Sequence, residues 1–240
     1  MEGFNKSALN YLNSSDHKTG EDLEYVKKYF RKRGFGYHLD IGTATGHFTK
    51  SFKSDVIFGV DTSINMLKIA SDTYGIVPAV GRGEFIPFKE GVFELVTCRI
   101  AMHHFENPDL FFKEVSRVLS PKGVFVLVDS IVDVEDAYLN EIEYFRDNSH
   151  IRSYTISEVL DFNHGVLRLV HFNLFEKNHD FHEWATRLGA DKITLSRLEE
   201  KFLDLPERIK KLLHIKIIDG KIKSYTDRKG LFIFEKIRFS

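Results

Sequence analysis

His38-Leu39-Asp40-Ile41-Gly42-Thr43-Ala44-Thr45-Gly46-His47-Phe48, completed by Gly59-Val60-Asp61, is the stretch that decides the fold. It reads as a buried strand end, a glycine turn, a helix start, a second strand and an acid at that strand's tip. Leu39 and Ile41 supply the apolar strand. Gly42 and Gly46 carry no Cβ, so the backbone turns tightly there and a ligand can approach it. The helix that follows presents unsatisfied N–H groups at its start, where a polar or negative ligand group is favoured. Asp61 lies nineteen residues beyond Gly42, close to the roughly 20-residue spacing at which an acid takes ribose hydroxyls. Together these residues point to an adenosine-containing cofactor.

The glycine spacing argues against a dinucleotide. A dinucleotide fingerprint needs G-x-G-x-x-G, its second glycine admitting the pyrophosphate, whereas this turn is Gly42-x-x-x-Gly46 with Ala44 between and Asp40 two residues before. The pattern resembles the D-x-G-x-G-x-G loop of class I S-adenosylmethionine-dependent methyltransferases, with Ala44 at the middle glycine. That cofactor has no pyrophosphate, so a methyl group is tolerable there. A second block is similar to the G-D-A-E-x-L-P-F…F-D-x-V…H-H-F segment of the same superfamily: Gly81-Arg82-Gly83-Glu84-Phe85-Ile86-Pro87-Phe88, then Phe93-Glu94-Leu95-Val96, then His103-His104-Phe105. It is most similar to the branch containing the ubiquinone/menaquinone C-methyltransferases. The resemblance covers residues 36–130, with a weaker echo at Arg146–Ser153 and Asp180–Trp184. One departure matters: Arg82 stands where the family has an aspartate that accepts from the adenine amino group, and arginine has donors only.

Outward from the loop, strands and helices alternate. The pattern predicts strands at 36–41, 56–60, 77–80, 93–98 and 122–129, with helices at 46–53, 64–73 (Ser63 as N-cap) and 108–119. A preceding helix over 21–33 has Asp22 or Thr19 as its cap. Short apolar runs separated by amphipathic helices describe a parallel sheet covered on both faces. Ligands then sit at the carboxyl ends of the strands, near the switch in strand order. Asp40, Asp61, Glu84, Arg99 and Asp129 all fall there. Beyond, 135–164 reads as two helices, 167–174 as a strand, 178–213 as mostly helical, 215–225 as a hairpin around Asp219-Gly220, and 231–237 as the last strand. The resemblance implies a Rossmann-like, doubly wound, seven-stranded, mostly parallel sheet with an antiparallel last strand and helical lid insertions. One domain is expected: a cap over 1–35, a cofactor-binding core over 36–130, lid and substrate insertions over 131–166 and 175–229, and the last strand over 230–240.

Bulk properties narrow the function class. The 240 residues carry a formal net charge of −1, which gives no reason to expect a nucleic-acid partner. Basic clusters such as Arg31-Lys32-Arg33 read as solvated helix faces. The single cysteine, Cys98, permits no intramolecular disulfide and suits a reducing compartment. No stretch approaches the ~18 apolar residues of a membrane span, and no signal pattern opens the chain, so a cytoplasmic location is expected.

The cofactor candidates are Asp40, Gly42, Thr43, Gly46, Asp61, Thr62, Met66, Gly83, Glu84 and Arg99. Two roles are open to several of them. Met66 packs on adenine or in the core; Asp40 orients the loop and the cofactor's amino group or caps the turn. Lys18 either reaches the methionine carboxylate, as the family's closing N-terminal segments imply, or is an exposed loop lysine. His103 and His104 follow the fourth strand, where the transferred methyl should lie, and are the candidates for a catalytic base. On the substrate side stand His150, Arg152, Phe181 and Trp184. Arg99 and Arg152 pair with a substrate anion or with acids of the chain itself, and Phe175, Phe181 and Trp184 wall the substrate or pack the core. His179, His182 and Glu183 offer two histidines three apart on a predicted helix without a further ligand, so no metal is expected.

The expected activity is methyl transfer from S-adenosyl-L-methionine, with S-adenosyl-L-homocysteine as product, to a small-molecule acceptor in a lid-covered pocket. The alternative is a non-catalytic sensor or accessory protein that binds the same cofactor.

Overall fold

The computed structural model describes residues 19–134 and 138–237. Among the described residues, eight α-helices and eight strands run in the order α1 (Glu21–Phe30), β1 (Gly34–Ile41), β2 (Lys53–Asp61), α2 (Ile64–Tyr74), β3 (Val77–Val80), β4 (Phe93–Arg99), α3 (Pro108–Val118), β5 (Leu119–Ile131), α4 (Tyr138–Arg146), α5 (Ile156–Phe162), β6 (Leu167–Asp180), α6 (Phe181–Thr186), α7 (Lys192–Leu203), α8 (Glu207–Leu212), β7 (Lys216–Ile218) and β8 (Lys221–Lys236). The sheet order is β3-β2-β1-β4-β5-β8-β6, with β7 paired to β8. β1 to β5 pair in parallel, and β8 lies antiparallel between β5 and β6. The strand order reverses between β1 and β4. The loops after these two strands therefore open a crevice at the carboxyl edge, where open α/β sheets bind ligands.

Both faces of the sheet are buried, and β5 shows how. Val124, Val126 and Val128 belong to one cluster, with Leu23, Val26 and Phe30 of α1. Phe125 and Leu127 point the other way and pack with Phe111, Phe112 and Phe234. Alternate side chains leave a strand on opposite faces, so a run of apolar residues is what a doubly covered strand needs. A third cluster joins Leu139 and Ile142 of α4 to Trp184, Phe202 and Tyr225. It is the core of a helical lobe formed by α4 and α6–α8.

The local chemistry explains most element boundaries. The Ser63 side chain accepts from Met66 N–H and starts α2; Gly75, at φ +68°, ends it. Asn107 caps α3, and Thr155 with Glu158 closes a capping box on α5. The sheet has eight strands rather than the expected seven, and β6 runs on to Asp180 instead of ending at 174. Three further elements differ from expectation. The helix predicted over 46–53 is a single 3₁₀ turn, His47–Ser51, because β2 already begins at Lys53. α1 has Gly20 as N-cap without a side-chain bond, and Asp22 lies inside the helix. The hairpin strand after Gly220 and the last strand are one strand, β8, of 16 residues. The polar run Thr226-Asp227-Arg228-Lys229 conceals it: Asp227 and Lys229 are buried in the sheet, and Asp227 pairs with His179.

Among the described residues no helix is long and apolar enough to cross a membrane. No group of three or more His, Cys, Asp or Glu side chains among them is arranged to hold a metal ion.

Candidate functional site

The glycine loop is held from beneath. Gly42 N and Thr43 N both donate to the Val60 carbonyl, at 2.8 and 3.1 Å. Gly42 sits at φ +65°, and a Cβ there would lie 2.4 Å from Ala101 Cβ; Gly46 is at φ +85° against Ile76. Both positions demand glycine. Ala44, at φ +43°, adopts the left-handed region as well. Its N–H donates to Asp61 Oδ2 at 2.9 Å, while Ser63 N–H donates to Asp61 Oδ1 at 2.8 Å. Asp61 thus ties the two strand tips together and keeps a second acceptor direction on each oxygen. Burial pushes its pKa up, against the pull of these N–H donors.

Asp40 lies under the loop rather than in the crevice. Its carboxylate accepts from Thr43 Oγ1 at 2.7 Å and from Thr97 Oγ1. Thr97 Oγ1 in turn bonds His38 Nε2 at 2.8 Å. The threonine hydroxyl is spent on the carboxylate, so the imidazole is the donor. Burial drives the Asp40 pKa up to about 6 and that of His38 down to about 3.

A cavity of about 480 Å³ opens above the loop, within the ~300–1,000 Å³ usual for small-molecule sites. At one end stand Gly42, Ala44, Asp61, Thr62 and Met66, followed by Gly81 to Glu84. Met66 lines the cavity while only 1 % exposed, so the core and cavity roles coincide. Arg82 is a strut on the rim, 2.9 Å from Glu106 and 3.6 Å from Glu84. Glu84 Oε1 accepts from Glu106 N–H at 2.7 Å and thereby holds the loop before α3. Arg99 also lines the cavity, but its Nε donates to Asp22 of α1 at 2.6 Å in a buried ion pair.

The other end is built around histidines. After β4 the chain passes Ile100 at φ +53°, a conformation a β-branched residue adopts only where its surroundings compel it. The turn Met102–His104 follows. His103 Nδ1 donates to Asp129 Oδ1 at 2.6 Å, and Asp129 Oδ2 accepts from Met102 N–H at 2.7 Å. His104 Nδ1 donates to the Ser149 carbonyl at 2.9 Å. His150 Nε2 bonds the Asn140 amide oxygen at 3.2 Å. The His103 ring lies 4.2 Å from that of His104 and 5.0 Å from that of His150, centroid to centroid. The three do not share one protonation behaviour. Burial depresses His104 to about 3 and His150 to about 4. Burial also works against a charged His103, but Asp129, with Glu143 and Asp147 further off, holds its pKa above the ordinary imidazole value.

The remaining wall is Arg146 to Ile151 and Arg187. Its loop is pinned to the histidine turn, since Ile151 N–H and Arg152 N–H both donate to the His103 carbonyl, at 2.9 and 3.2 Å. Arg146 stacks over Trp184 at 4.5 Å and pairs with Glu143 at 2.7 Å.

Of the residues singled out in the sequence, the cavity brings together Gly42, Asp61, Thr62, Met66, Gly83, Glu84, Arg99, His103, His104 and His150. Thr43 and Gly46 shape the loop without lining the cavity. Arg152 points away, paired with Glu158 at 2.8 Å and stacked on Tyr154. Phe181 and Trp184 are fully packed inside the lobe, where an indole and a phenyl ring bury the most apolar area. Lys18 lies outside the described residues. His179 belongs to β6 and not to a helix, its Nε2 3.0 Å from Asp227 Oδ2, so it and His182 do not share a helical face. Arg146, Asp147, Ser149 and Arg187 were not singled out. The first three fall in a segment that the weaker echo had marked, whereas Arg187 carries no sequence signal. The partnership of Asp129 with His103 spans 26 residues and is a product of the β4–β5 pairing alone.

Comparison with known proteins agrees with this geometry. A family profile described as "Methyltransferase domain" matches residues 39–127. The uncharacterized methyltransferase YcgJ of Bacillus subtilis (strain 168) is 34% identical over 166 residues, 65% of this chain and 66% of that protein. Its crystal structure superposes with a TM-score of 0.84 at 24% identity, covering 90% of this chain and 98% of that one. A methyltransferase structure from Bacillus halodurans C-125, BH2331, superposes with a TM-score of 0.84 at 28% identity, covering 91% of this chain and all of that one. The matches do not single out the ubiquinone/menaquinone branch. With the glycine loop, the Asp61 tip and the strand order already in place, they identify the chain as a member of the class I S-adenosylmethionine-dependent methyltransferase family.

Proposed function

We propose that the protein methylates a small-molecule acceptor held between the open sheet edge and the helical lobe, with S-adenosylmethionine as donor. The observation that carries this reading is one cavity with two chemically different ends: Gly42, Ala44 and Asp61 at one, and His103, His104 and His150 at the other. The residues at the first end suit the cofactor. Asp61, already oriented by two backbone N–H groups, has acceptor capacity for ribose hydroxyls. Gly42 lets the loop pack against Ala101, where a Cβ would clash, and Gly83 and Met66 flank the place of the adenine. Arg82 replaces the usual adenine-reading acid and serves the rim instead. Once bound, the cofactor supplies an electrophilic methyl group on sulfur. The chain's contribution is to align the acceptor and exclude water, the main levers for an in-line displacement. On this reading the lobe is the lid, with Arg146–Ile151 as the part in contact with the acceptor.

Calorimetric titration of the full chain tests the cofactor assignment. S-adenosylmethionine and S-adenosylhomocysteine should bind, and NADH should not. Asp61→Ala should weaken S-adenosylhomocysteine at least tenfold, or ~1.4 kcal/mol, the scale of hydrogen bonds to a charged acceptor. Unchanged affinity in that variant sinks the ribose assignment. Binding of S-adenosylmethionine that is never consumed with any acceptor favours the sensor reading.

A further inference from the structure

We propose that His103 and Asp129 form a general-base dyad and that the acceptor is a hydroxyl compound, a phenol or an enol, methylated on oxygen. This deepens the function proposed above and rests on it.

The geometry separates His103 from its neighbours. Its Nδ1–H is committed to Asp129, leaving the ring in one tautomer with the lone pair on Nε2. Nε2 lies on the opposite edge of the ring, has no hydrogen-bond partner among the described residues, and belongs to a residue that lines the cavity. Asp129 is itself immobilised. Its Oδ2 accepts from Met102 N–H at 2.7 Å and more distantly from His103 N–H at 3.3 Å, and its Oδ1 accepts from Ser130 N–H at 2.7 Å. A fixed carboxylate behind an imidazole orients the ring and stabilises the imidazolium formed when it takes a proton. The groups facing the ring are Asp129 from β5, His104 from its own turn, and Glu143, Asp147 and His150 from α4 and the loop after it. The carboxylates among them favour the protonated ring. His104 donates its Nδ1–H to a backbone carbonyl, and burial with the neighbouring His103 outweighs the pull of Asp147 on its ring.

A base of this strength matters only for an acceptor that must lose its proton as it reacts. An amine attacks with its own lone pair, whereas a neutral hydroxyl oxygen is a poor nucleophile until its proton is being removed. The hydroxyl proton passes to His103 Nε2 while the oxygen's electron pair forms the O–CH₃ bond. The C–S bond breaks with its electron pair staying on sulfur. The products are a methyl ether, a neutral thioether and an imidazolium held by Asp129, which later releases the proton to solvent.

The test begins with NMR titration of the histidine Cε1–H signals in the full chain without cofactor, His103→Gln supplying the assignment. The signal lost in that variant should titrate above the ordinary value of about 6.5, and Asp129→Asn should lower it by about one pH unit or more. Titration at or below the ordinary value overturns the dyad, and the wild-type measurement decides even if Asp129→Asn fails to fold. Methyl transfer is then measured with catechol, resorcinol and 4-nitrophenol against aniline and benzylamine. Phenols should be preferred, with a rate that rises through the pKa found by NMR. Asp129→Asn should lower kcat about 100-fold while the affinity for S-adenosylhomocysteine stays unchanged. Preference for amines, a rate flat with pH, or no phenol turnover in a protein that binds S-adenosylhomocysteine overturns the proposal. Failure of the wild type to bind S-adenosylhomocysteine overturns the cofactor reading instead, and the titration still judges the dyad separately.

Discussion

Ala44 bears the strain of the glycine loop. At φ +43° an L-residue with a Cβ sits in the left-handed region at a cost of roughly 1–2 kcal/mol. Replacing alanine by glycine ordinarily costs ~0.4–1 kcal/mol through the freedom glycine gains in the unfolded chain. The two effects oppose each other here, so Ala44→Gly should leave stability unchanged or slightly raised. Ala70→Gly, inside α2 and fully buried, should cost about 1 kcal/mol. Urea unfolding of both variants measures the difference, and equal losses would show that Ala44 carries no strain. At this scale the sequence was legible where one residue type has one physical reason to be present. Gly42, Gly46 and Asp61 are such cases, because turn and acid spacing are local. Arg82, by contrast, showed only a departure from the family pattern; its place between Glu84 and Glu106 depends on a loop folding back.

Among the elements, α1 is fastened to the sheet by a pair that its own sequence does not reveal. Asp22 invites the reading of a helix cap, yet it faces inward and meets Arg99 from the tip of β4 at 2.6 Å, both side chains buried. Burial opposes the Asp22 charge, but Arg99 and, more weakly, Lys229 hold its pKa below the usual carboxylate range. A depressed carboxylate stabilises the fold above its unfolded pKa and loses that contribution as pH falls through the folded one. Asp22→Ala would leave a buried guanidinium without this partner and should cost ~3–5 kcal/mol, measured by urea unfolding at neutral pH. A loss below about 1 kcal/mol would place the pair with surface ion pairs. Elements with a clean period, such as α2, α3 and the apolar strands, could be read directly. β8 could not, because its buried Asp227 and Lys229 look like loop residues until His179 and Asp22 are folded against them.

For the molecule as a whole, buried imidazoles set the response to acid. His38, His104 and His150 have pKa values near 3, 3 and 4 in the fold against about 6.5 in the unfolded chain. Unfolding therefore takes up their protons as pH falls below 6.5, and stability falls with it. Asp40 opposes this. Its folded pKa of about 6 keeps it protonated in the fold and lets it release a proton on unfolding between ~pH 4 and 6. His103 is protonated in both states over that range and contributes only above it, where its stabilisation is lost as pH rises through its raised folded pKa. Near pH 5 these three imidazoles and Asp40 alone take up about two protons on unfolding, a slope of about 2.7 kcal/mol per pH unit, from which the raised Asp61 subtracts and to which depressed carboxylates such as Asp22 add. Urea midpoints at pH 5.0, 6.0 and 7.0 should accordingly rise with pH; a fall would refute the neutral-imidazole assignment. The overall architecture was the most legible level, since alternation of strand and helix leaves few ways to cover a parallel sheet. The contents of the histidine end of the cavity were the least, because they meet only when α4 and α6 fold over the β4 tip.

β6 and β8 run from the central sheet into the lobe as one ribbon, paired from Leu167 with Lys236 at one end to Asp180 with Ser224 at the other, with a single bulge near Val170. A ladder of that length is a girder and leaves no hinge between sheet and lobe along its course. The Arg146–Ile151 wall, by contrast, hangs on short ties: the N–H groups of Ile151 and Arg152 at the His103 carbonyl, and His104 Nδ1 at the Ser149 carbonyl. The wall and the histidine turn share their fastenings, so any movement that lifts the wall also loosens the turn on which His103 is mounted.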